Sequence, residues 1–427
     1  MPVLSDPSPH SPLASSLPDP AGLPLPAYVY DLAQVRRNHA SLVAALPYGT
    51  GLYYSLKANP HPALLTELRA RGTRAEVCST GELDAALGAG WPAGELLYTG
   101  PGKSDAEVGY ALGHGVRMFS VDSPHALDQL DRLAAGHGVT ARCLLRVNDD
   151  QPVPGQGLAM TGVASQFGAD TAWVLAEPRR FAGRPHAAVT GLHLYMGTNL
   201  AGVGDLLGQF SRSLGTARRL ADALSGHGVR LDTWDLGGGF AAPFAKAGEP
   251  ADLTGLREPL ERLLDREAPG WRRGRPAVVF ESGRYLVGTA GTLVTEVLDV
   301  KRSHGRDVVV LRSGINHLGG MSGLRRLPPL APHLLHARDT RQGPPLDALV
   351  SGPLCTPLDT WARGAPLPPV RPGDVVAVPN VGAYGLYASL VAFLGHPLPA
   401  EVVVDGDRPD REPEVSRLVL TRTTSPF

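Results

Sequence analysis

Eight short β-rich runs, GLYYSLKA, RAEVCS, ELLYTG, RMFSVD, ARCLLRVN, VTGLHLYMG, LDTWDLGGG and AVVFESGR, follow one another between residues 51 and 284. Stretches of helical periodicity such as HPALLTELRARG, TGELDAALGAG and PHALDQLDRLAAGHG separate most of them. Strands that alternate with helices in this way pair in parallel, because each helix carries the chain back before the next strand begins. Eight such units within about 240 residues predict an α/β architecture, the closed (β/α)8 barrel. Near residue 290 the rhythm changes. GTLVTEVLDV, DVVVLRSG, DALVSG, DVVAVPNVG, EVVVDG and SRLVLTRT follow without helices between them, which predicts an antiparallel β domain over 290–427. The barrel domain is expected over 27–289. The run AYVYD, Ala27 to Asp31, precedes the first barrel strand, and pairing with the β domain is open to it. Residues 1 to about 26 are rich in proline and serine without periodicity, so a flexible tail is expected there.

The chain has 427 residues and 43% apolar content, enough to bury the cores of two domains. Its 40 basic and 41 acidic residues give a formal net charge of -1. That balance provides no electrostatic footprint for nucleic acid or an anionic membrane, so a small-molecule partner is expected. No apolar run approaches the roughly 20 residues needed to span a bilayer, and the N-terminus lacks a basic start followed by an apolar segment. A cytoplasmic location is expected. Cys78, Cys143 and Cys355 have the spacing of neither a disulfide framework nor a metal site. His137, His227 and His304 lie in loop-like contexts without companion ligands, and no metal is expected. TGPGKS, Thr99 to Ser104, suggests a nucleotide P-loop, but that motif needs a glycine where Leu97 stands.

Position carries the functional reading, because a barrel of this type builds its reactive face at the C-terminal ends of its strands. The strand ends here carry Lys57, Ser79, Gly100, Asp122, Asn148, His193, Gly237 to Gly239, and Glu281 with Arg284. A lysine flanked by Tyr53, Leu56 and Ala58 is expected to be partly desolvated, which lowers its pKa and frees the neutral amine to attack a carbonyl. This is the chemistry of Schiff-base formation. The triplet Gly237, Gly238 and Gly239 in WDLGGGF suits either an anion nest of backbone N–H groups or a plain tight turn. Glu281 in FESGRY needs a positive partner if buried, either Arg284 or a protonated heterocycle.

YSLKANPHP, EVCSTGEL, LYTGPGKS, SQFG, HLYMGTN, LGGGF, ESGR, GPLCTPLD and GAYG occur in the order of the fold-type III decarboxylases that use pyridoxal 5'-phosphate (PLP). The chain resembles this family of diaminopimelate and ornithine decarboxylases from about residue 27 to 405. The resemblance implies an alanine racemase-like fold: a (β/α)8 TIM barrel holding PLP, a C-terminal β domain, and a homodimer with shared active sites. It implies that Lys57 bonds covalently to PLP, that His193 stacks on the cofactor ring, and that Gly237, Gly238, Gly239, Gly283, Arg284 and Tyr384 contact the cofactor. Cys355 corresponds to the cysteine that the partner subunit contributes to reprotonate the substrate. Glu281 corresponds to the acid that keeps the pyridine nitrogen protonated, which makes the ring a strong electron sink and favours decarboxylation. Racemases of this fold type place an arginine there. Retention of Lys57, His193, Glu281 and Cys355 together argues against a non-catalytic regulatory homologue.

The chain departs from the family where the substrate's far end is read. Diaminopimelate decarboxylases follow the cysteine with glutamate and ornithine decarboxylases with aspartate, whereas here Thr356 stands. A buried ammonium facing a neutral hydroxyl forfeits a charge-assisted hydrogen bond worth roughly 1.5 to 3 kcal/mol. The Arg-Pro-x-Leu-Tyr segment that diaminopimelate enzymes use on the distal carboxylate is also missing. His317, Arg325 and Arg326 stand in that region and are expected, with Thr356 and Asp359, to bind substrate. These features most resemble the branch acting on conjugated amino acids in siderophore and antibiotic biosynthesis. The expected reaction is α-decarboxylation of an amino acid whose distal end is acylated or carboxylated, such as a citryl-diamino acid; diaminopimelate decarboxylation is the alternative. Arg312, where many relatives carry an aspartate, is a further departure.

Overall fold

The computed structural model describes residues 17–150, 161–319, 330, 332–337, 344, 346–367 and 369–423. The chain divides into two compact units, one of Arg36–Ala242 with Pro250–Leu286 and the other of the described residues up to Val35, Pro243–Glu249 and those from Val287 onward. In chain order the strands are β1 (Ala27–Asp31), β2 (Gly51–Ser55), β3 (Arg74–Val77), β4 (Leu97–Tyr98), β5 (Met118–Val121), β6 (Ala141–Asn148), β7 (Ala169–Asp170), β8 (Ala187–Leu194), β9 (Thr233–Asp235) and β10 (Ala277–Ser282). They continue with β11 (Gly291–Ser303), β12 (Arg306–Leu311), β13 (Leu335–His336), β14 (Leu346–Ser351), β15 (Thr360–Leu367), β16 (Val375–Val378), β17 (Ala400–Val404) and β18 (Glu414–Arg417).

The first unit is the barrel. Its eight strands pair in parallel in the order β2, β3, β4, β5, β6, β8, β9, β10, and β10 closes onto β2. All eight strand runs read from the sequence are present, and β7 adds a short parallel pair on β6. Local signals set the helices. In Pro124–Gly136, Ser123 caps the N-terminus by accepting from Ala126 N, proline occupies the first turn, and Leu127, Leu130 and Ala134 are buried at helical spacing.

Side-chain alternation divides the barrel interior into layers. Tyr53, Leu97, Met118, Leu144 and Val279 pack as an apolar floor, each buried side chain contributing about 1.5 to 3 kcal/mol. Two residues further along the same strands, or one strand over, stand Glu76, Thr99, Ser120, Arg146, His193, Asp235 and Glu281, all buried. The polar layer therefore lies above the floor, on the side where the strands end.

The second unit is a largely antiparallel sheet in the order β15, β14, β12, β11, β1, β17, β18, with β16 also paired to β11 and β13 to β16. Two of its pairs, β1 with β17 and β12 with β14, are parallel. The expected start of the barrel domain at residue 27 is corrected here: β1 is buried along its whole length and hydrogen-bonded on both edges, to β11 and β17. The expected tail also ends earlier than residue 26, because Leu17, Leu23 and Leu25 pack against the cluster of Ala27, Val29, Val294, Ala400 and Val402. Residues 1–16 lie outside the described residues. No helix among the described residues is long and apolar enough to cross a membrane.

Candidate active site

Lys57 sits in a single 3-10 turn, Leu56–Ala58, that leaves the end of β2. Gly283 fixes that turn from the end of β10: a Cβ there would meet the Ala58 Cβ at 2.7 Å, so only glycine lets the two strand ends approach. The Lys57 side chain is 40% exposed and its Nζ forms an ion pair with Glu76 Oε1 at 3.6 Å.

Glu281 is 1% exposed, and neither of its carboxylate oxygens has a hydrogen-bond partner. His193 Nε2 approaches Glu281 Oε1 at 3.0 Å without the alignment of a hydrogen bond. That ring nitrogen also lies 2.7 Å from Arg146 NH1, and Nδ1 lies 2.9 Å from Ser120 Oγ. Burial first, then the charge of Arg146, lowers the His193 pKa. The imidazole is therefore neutral and accepts from the guanidinium. Burial alone would raise the Glu281 pKa, but His193 first, then the charges of Lys57 and Arg146, bring it down on balance and hold the carboxyl ionised. Asp235, wholly buried beside it, goes the other way: burial first, then the Glu281 charge, push its pKa well above the usual range. The pair therefore holds one negative charge and one proton.

His193, Asp235 and Glu281 place ligand atoms within 4.8 Å of one another, close enough for a small cation. Arg146 already lies on the nitrogen such an ion would need and supplies the positive charge. The unsatisfied Glu281 oxygens instead suit the protonated nitrogen of a heterocycle.

The glycine triplet follows β9. Glu281 N donates to Gly237 O at 2.8 Å, Gln209 Nε2 to Gly238 O at 2.9 Å, and Leu200 N to Gly239 O at 2.7 Å. Peptide planarity then turns the N–H groups of Gly238 and Gly239 away from these donors, the arrangement an anion needs. A side chain at Gly238 would collide with Glu281 O, and Gly237 has φ +67°.

The other strand ends serve the loops. Ser79 caps the helix Thr80–Gly88 by accepting from Glu82 N at 3.2 Å. Asp122 accepts from Gly168 N at 2.7 Å and faces Lys103 Nζ at 3.8 Å. Asn148 Oδ1 accepts from Gly162 N at 2.9 Å. The P-loop-like segment is a turn in which Lys103 donates to Gly100 O. Arg284 opens the short helix Arg284–Val287.

The remaining expected site residues belong to the second unit. Cys355 is exposed, and the neighbouring Thr356 Oγ1 accepts from Leu358 N at 3.3 Å. Tyr384 holds φ +57°, an unusual conformation for an aromatic residue. Two expected substrate contacts, Asp359 and His317, make hydrogen bonds within their own unit. The Asp359 carboxylate is consumed by Ile315 N and Leu354 N, both at 2.8 Å, and packs against Gly314 and Gly352. It braces the Cys355–Thr356 turn. His317 is 3% exposed, with Nδ1 3.3 Å from Ser313 Oγ and Nε2 3.0 Å from Pro397 O. Burial brings its pKa down to about 4, so it offers no positive charge to a carboxylate. Arg325 and Arg326 lie outside the described residues. Arg312 forms a half-exposed pair with Glu296 at 2.7 Å, worth at most about 1 kcal/mol.

Glu76, Arg146, Asp235, Ser120 and Thr99 were not singled out from the sequence, although Glu76, Arg146 and Asp235 are charged residues inside otherwise apolar strands. Polar residues at inward positions, within two residues of a strand end, are the signal that finds them.

Residues 32–288 match the family model for pyridoxal-dependent decarboxylases, pyridoxal binding domain. The chain is 30% identical over 382 residues to the L-glutamyl-[BtrI acyl-carrier protein] decarboxylase of Niallia circulans, covering 88% of each chain. It is 30% identical to the diaminopimelate decarboxylase of Neisseria meningitidis, over 90% of each chain. Identity is 28% to the 2-[(L-alanin-3-ylcarbamoyl)methyl]-2-hydroxybutanedioate decarboxylase of Staphylococcus aureus, over 91% of this chain and 96% of the other. The fold aligns with diaminopimelate decarboxylase from Helicobacter pylori at a TM-score of 0.79 and 23% identity, over 93% of this chain and 94% of the other. With a lysine at the barrel mouth, an ionised Glu281 lacking partners and a glycine cradle, the chain belongs to the pyridoxal-dependent decarboxylase family and is a carboxy-lyase that uses pyridoxal 5'-phosphate.

Proposed function

We propose that this decarboxylase releases the α-carboxylate, as CO2, from an amino acid whose distal end is acylated or carboxylated, such as a citryl-diamino acid, rather than from a free diamine. Thr356 carries this reading. It follows Cys355 where an acidic residue would meet a distal ammonium, and a neutral hydroxyl offers that ammonium no counter-charge. Two relatives support it by their names, one for a glutamyl group on a carrier protein and one for a hydroxybutanedioate conjugate. Diaminopimelate decarboxylation is the second reading, favoured by relatives of that name at 30% identity.

In this reading Lys57 would bond to the cofactor and Glu281 would hold its ring nitrogen protonated, while His193, wholly buried with its ring nitrogens on Ser120 and Arg146, would position Glu281 rather than stack on the ring. Gly237, Gly238 and Gly239, with Gly283 and Arg284, would hold its phosphate end. When bound, the cofactor supplies an electron sink for the pair left on the α-carbon as CO2 departs. Asp235 keeps its proton and so does not add a second negative charge beside Glu281. Cys355, exposed on its own unit, reaches the site of a second copy and returns a proton to the α-carbon. The functional unit is therefore a homodimer. Mixing inactive Lys57→Ala and Cys355→Ala proteins restores part of the activity through heterodimers. No recovery despite demonstrated subunit exchange would place the whole site within one chain.

Substrate choice is tested by Thr356→Glu. The variant gains activity on ornithine, lysine and meso-diaminopimelate relative to a citryl-diamino acid, by about tenfold or more in the kcat/KM ratio, since a charge-assisted hydrogen bond contributes about 1.5 to 3 kcal/mol. An unchanged ratio would remove Thr356 from the specificity site.

A further inference from the structure

Glu76 lies in the barrel interior, 1% exposed, at the position of β3 that registers with Leu97 of β4. This register brings the next residues out of the two strands, Cys78 and Thr99, side by side. Thr99 Oγ1 donates to Glu76 Oε1 at 2.6 Å. The Cys78 Sγ lies 3.6 Å from the same oxygen and 3.1 Å from Thr99 Oγ1. Lys57 Nζ approaches that oxygen too, at 3.6 Å. Glu76 Oε2 has no hydrogen-bond partner, so all the contacts that orient this carboxylate act on the oxygen facing the lysine. Burial first, then the charge of Glu76, pushes the Cys78 pKa up to about 12. Cys78 is thus a thiol that donates.

We propose that Thr99 and Cys78 are positioning residues that hold the Glu76 carboxylate against Lys57 and thereby set how tightly the Lys57 amine keeps its proton. An amine that must lose a proton to bond a carbonyl, and regain it on release, works best against a counter-charge held in one place. Other charged or titratable groups act on the same pair: Glu281 and Glu82 on Lys57, and Glu82, His193 and Asp235 on Glu76. Glu76 Oε1 makes an ion pair with Lys57 at 3.6 Å, whereas Glu281 and Glu82 act on it through their charge. The role is independent of which amino acid is the substrate.

The test is a pH titration of the visible band of the Lys57–cofactor linkage in the full-length holoenzyme, together with the pH dependence of Lys57 acetylation by acetic anhydride in the full-length cofactor-free protein. Thr99→Val frees the carboxylate to turn away, and loss of a fixed opposite charge weakens the protonated form. Both midpoints are expected to fall by about 1 pH unit. Thr99→Ser keeps the hydroxyl and stays near the wild-type midpoint, while Cys78→Ala shifts it in the same direction by less. Wild-type midpoints in both Thr99→Val and Cys78→Ala would overturn the proposal, as would a Thr99→Ser shift as large as that of Thr99→Val. Should Thr99→Val fail to fold, a wild-type midpoint in Cys78→Ala overturns it alone.

Discussion

Lys57→Ala protein loses CO2 release by at least about 10³-fold, the scale on which removing a group that forms a covalent bond acts. Three features of the structure make the effect so large. The 3-10 turn carries the amine to the barrel mouth. Gly283 leaves that turn no freedom to retreat, and Glu76 holds the amine by an ion pair at 3.6 Å. Lys103, the lysine of the TGPGKS segment, is committed to Gly100 O and faces Asp122. The matching chemical result is that borohydride reduction of the wild-type holoenzyme fixes the cofactor on a peptide containing Lys57. Full activity in the alanine variant, or a label on another peptide, would remove Lys57 from the chemistry.

Glu281→Gln is expected to cost on the order of 10² to 10³ in kcat, comparable with the loss of one preorganised electrostatic group in a water-excluded site. The amide keeps the shape and loses the charge that favours a protonated ring nitrogen. Asp235 shapes what remains. Its proton is held by burial and by the charge of Glu281, so removing that charge lets Asp235 ionise more easily and partly replace it. The residual activity of Glu281→Gln should therefore rise with pH as Asp235 loses its proton, and the Glu281→Gln/Asp235→Asn double variant should lack that rise. A Glu281→Gln enzyme within about threefold of wild type in kcat would show that ring protonation does not depend on this carboxylate.

Much of the barrel was legible because its signal is local. Alternating strands and amphipathic helices, capped by residues such as Ser79 and Ser123, need no knowledge of the rest of the chain. The polar layer was half legible. Lys57, His193 and Glu281 stand at or near strand ends, and so do Glu76, Arg146 and Asp235, but at inward positions within apolar runs that only the closed sheet turns into neighbours. Long-range pairing was out of reach. β1 joins β11 and β17, more than 250 and 350 residues away in the chain, and nothing within AYVYD names those partners. Burial is equally a tertiary property: in sequence, Asp359 and His317 look like polar groups available to a substrate. In the fold, backbone amides, Ser313 and the Pro397 carbonyl have already taken their hydrogen bonds.

The most direct measurement is CO2 release by wild-type enzyme, compared by kcat/KM across ornithine, lysine, meso-diaminopimelate and a citryl-diamino acid conjugate. This ratio reports differential transition-state binding at the end of the substrate that Thr356 faces in the proposed site. Preference for the carboxylated conjugate over every free diamine is the predicted result. Preference for meso-diaminopimelate by tenfold or more, about 1.4 kcal/mol, would contradict it and make diaminopimelate decarboxylation the function.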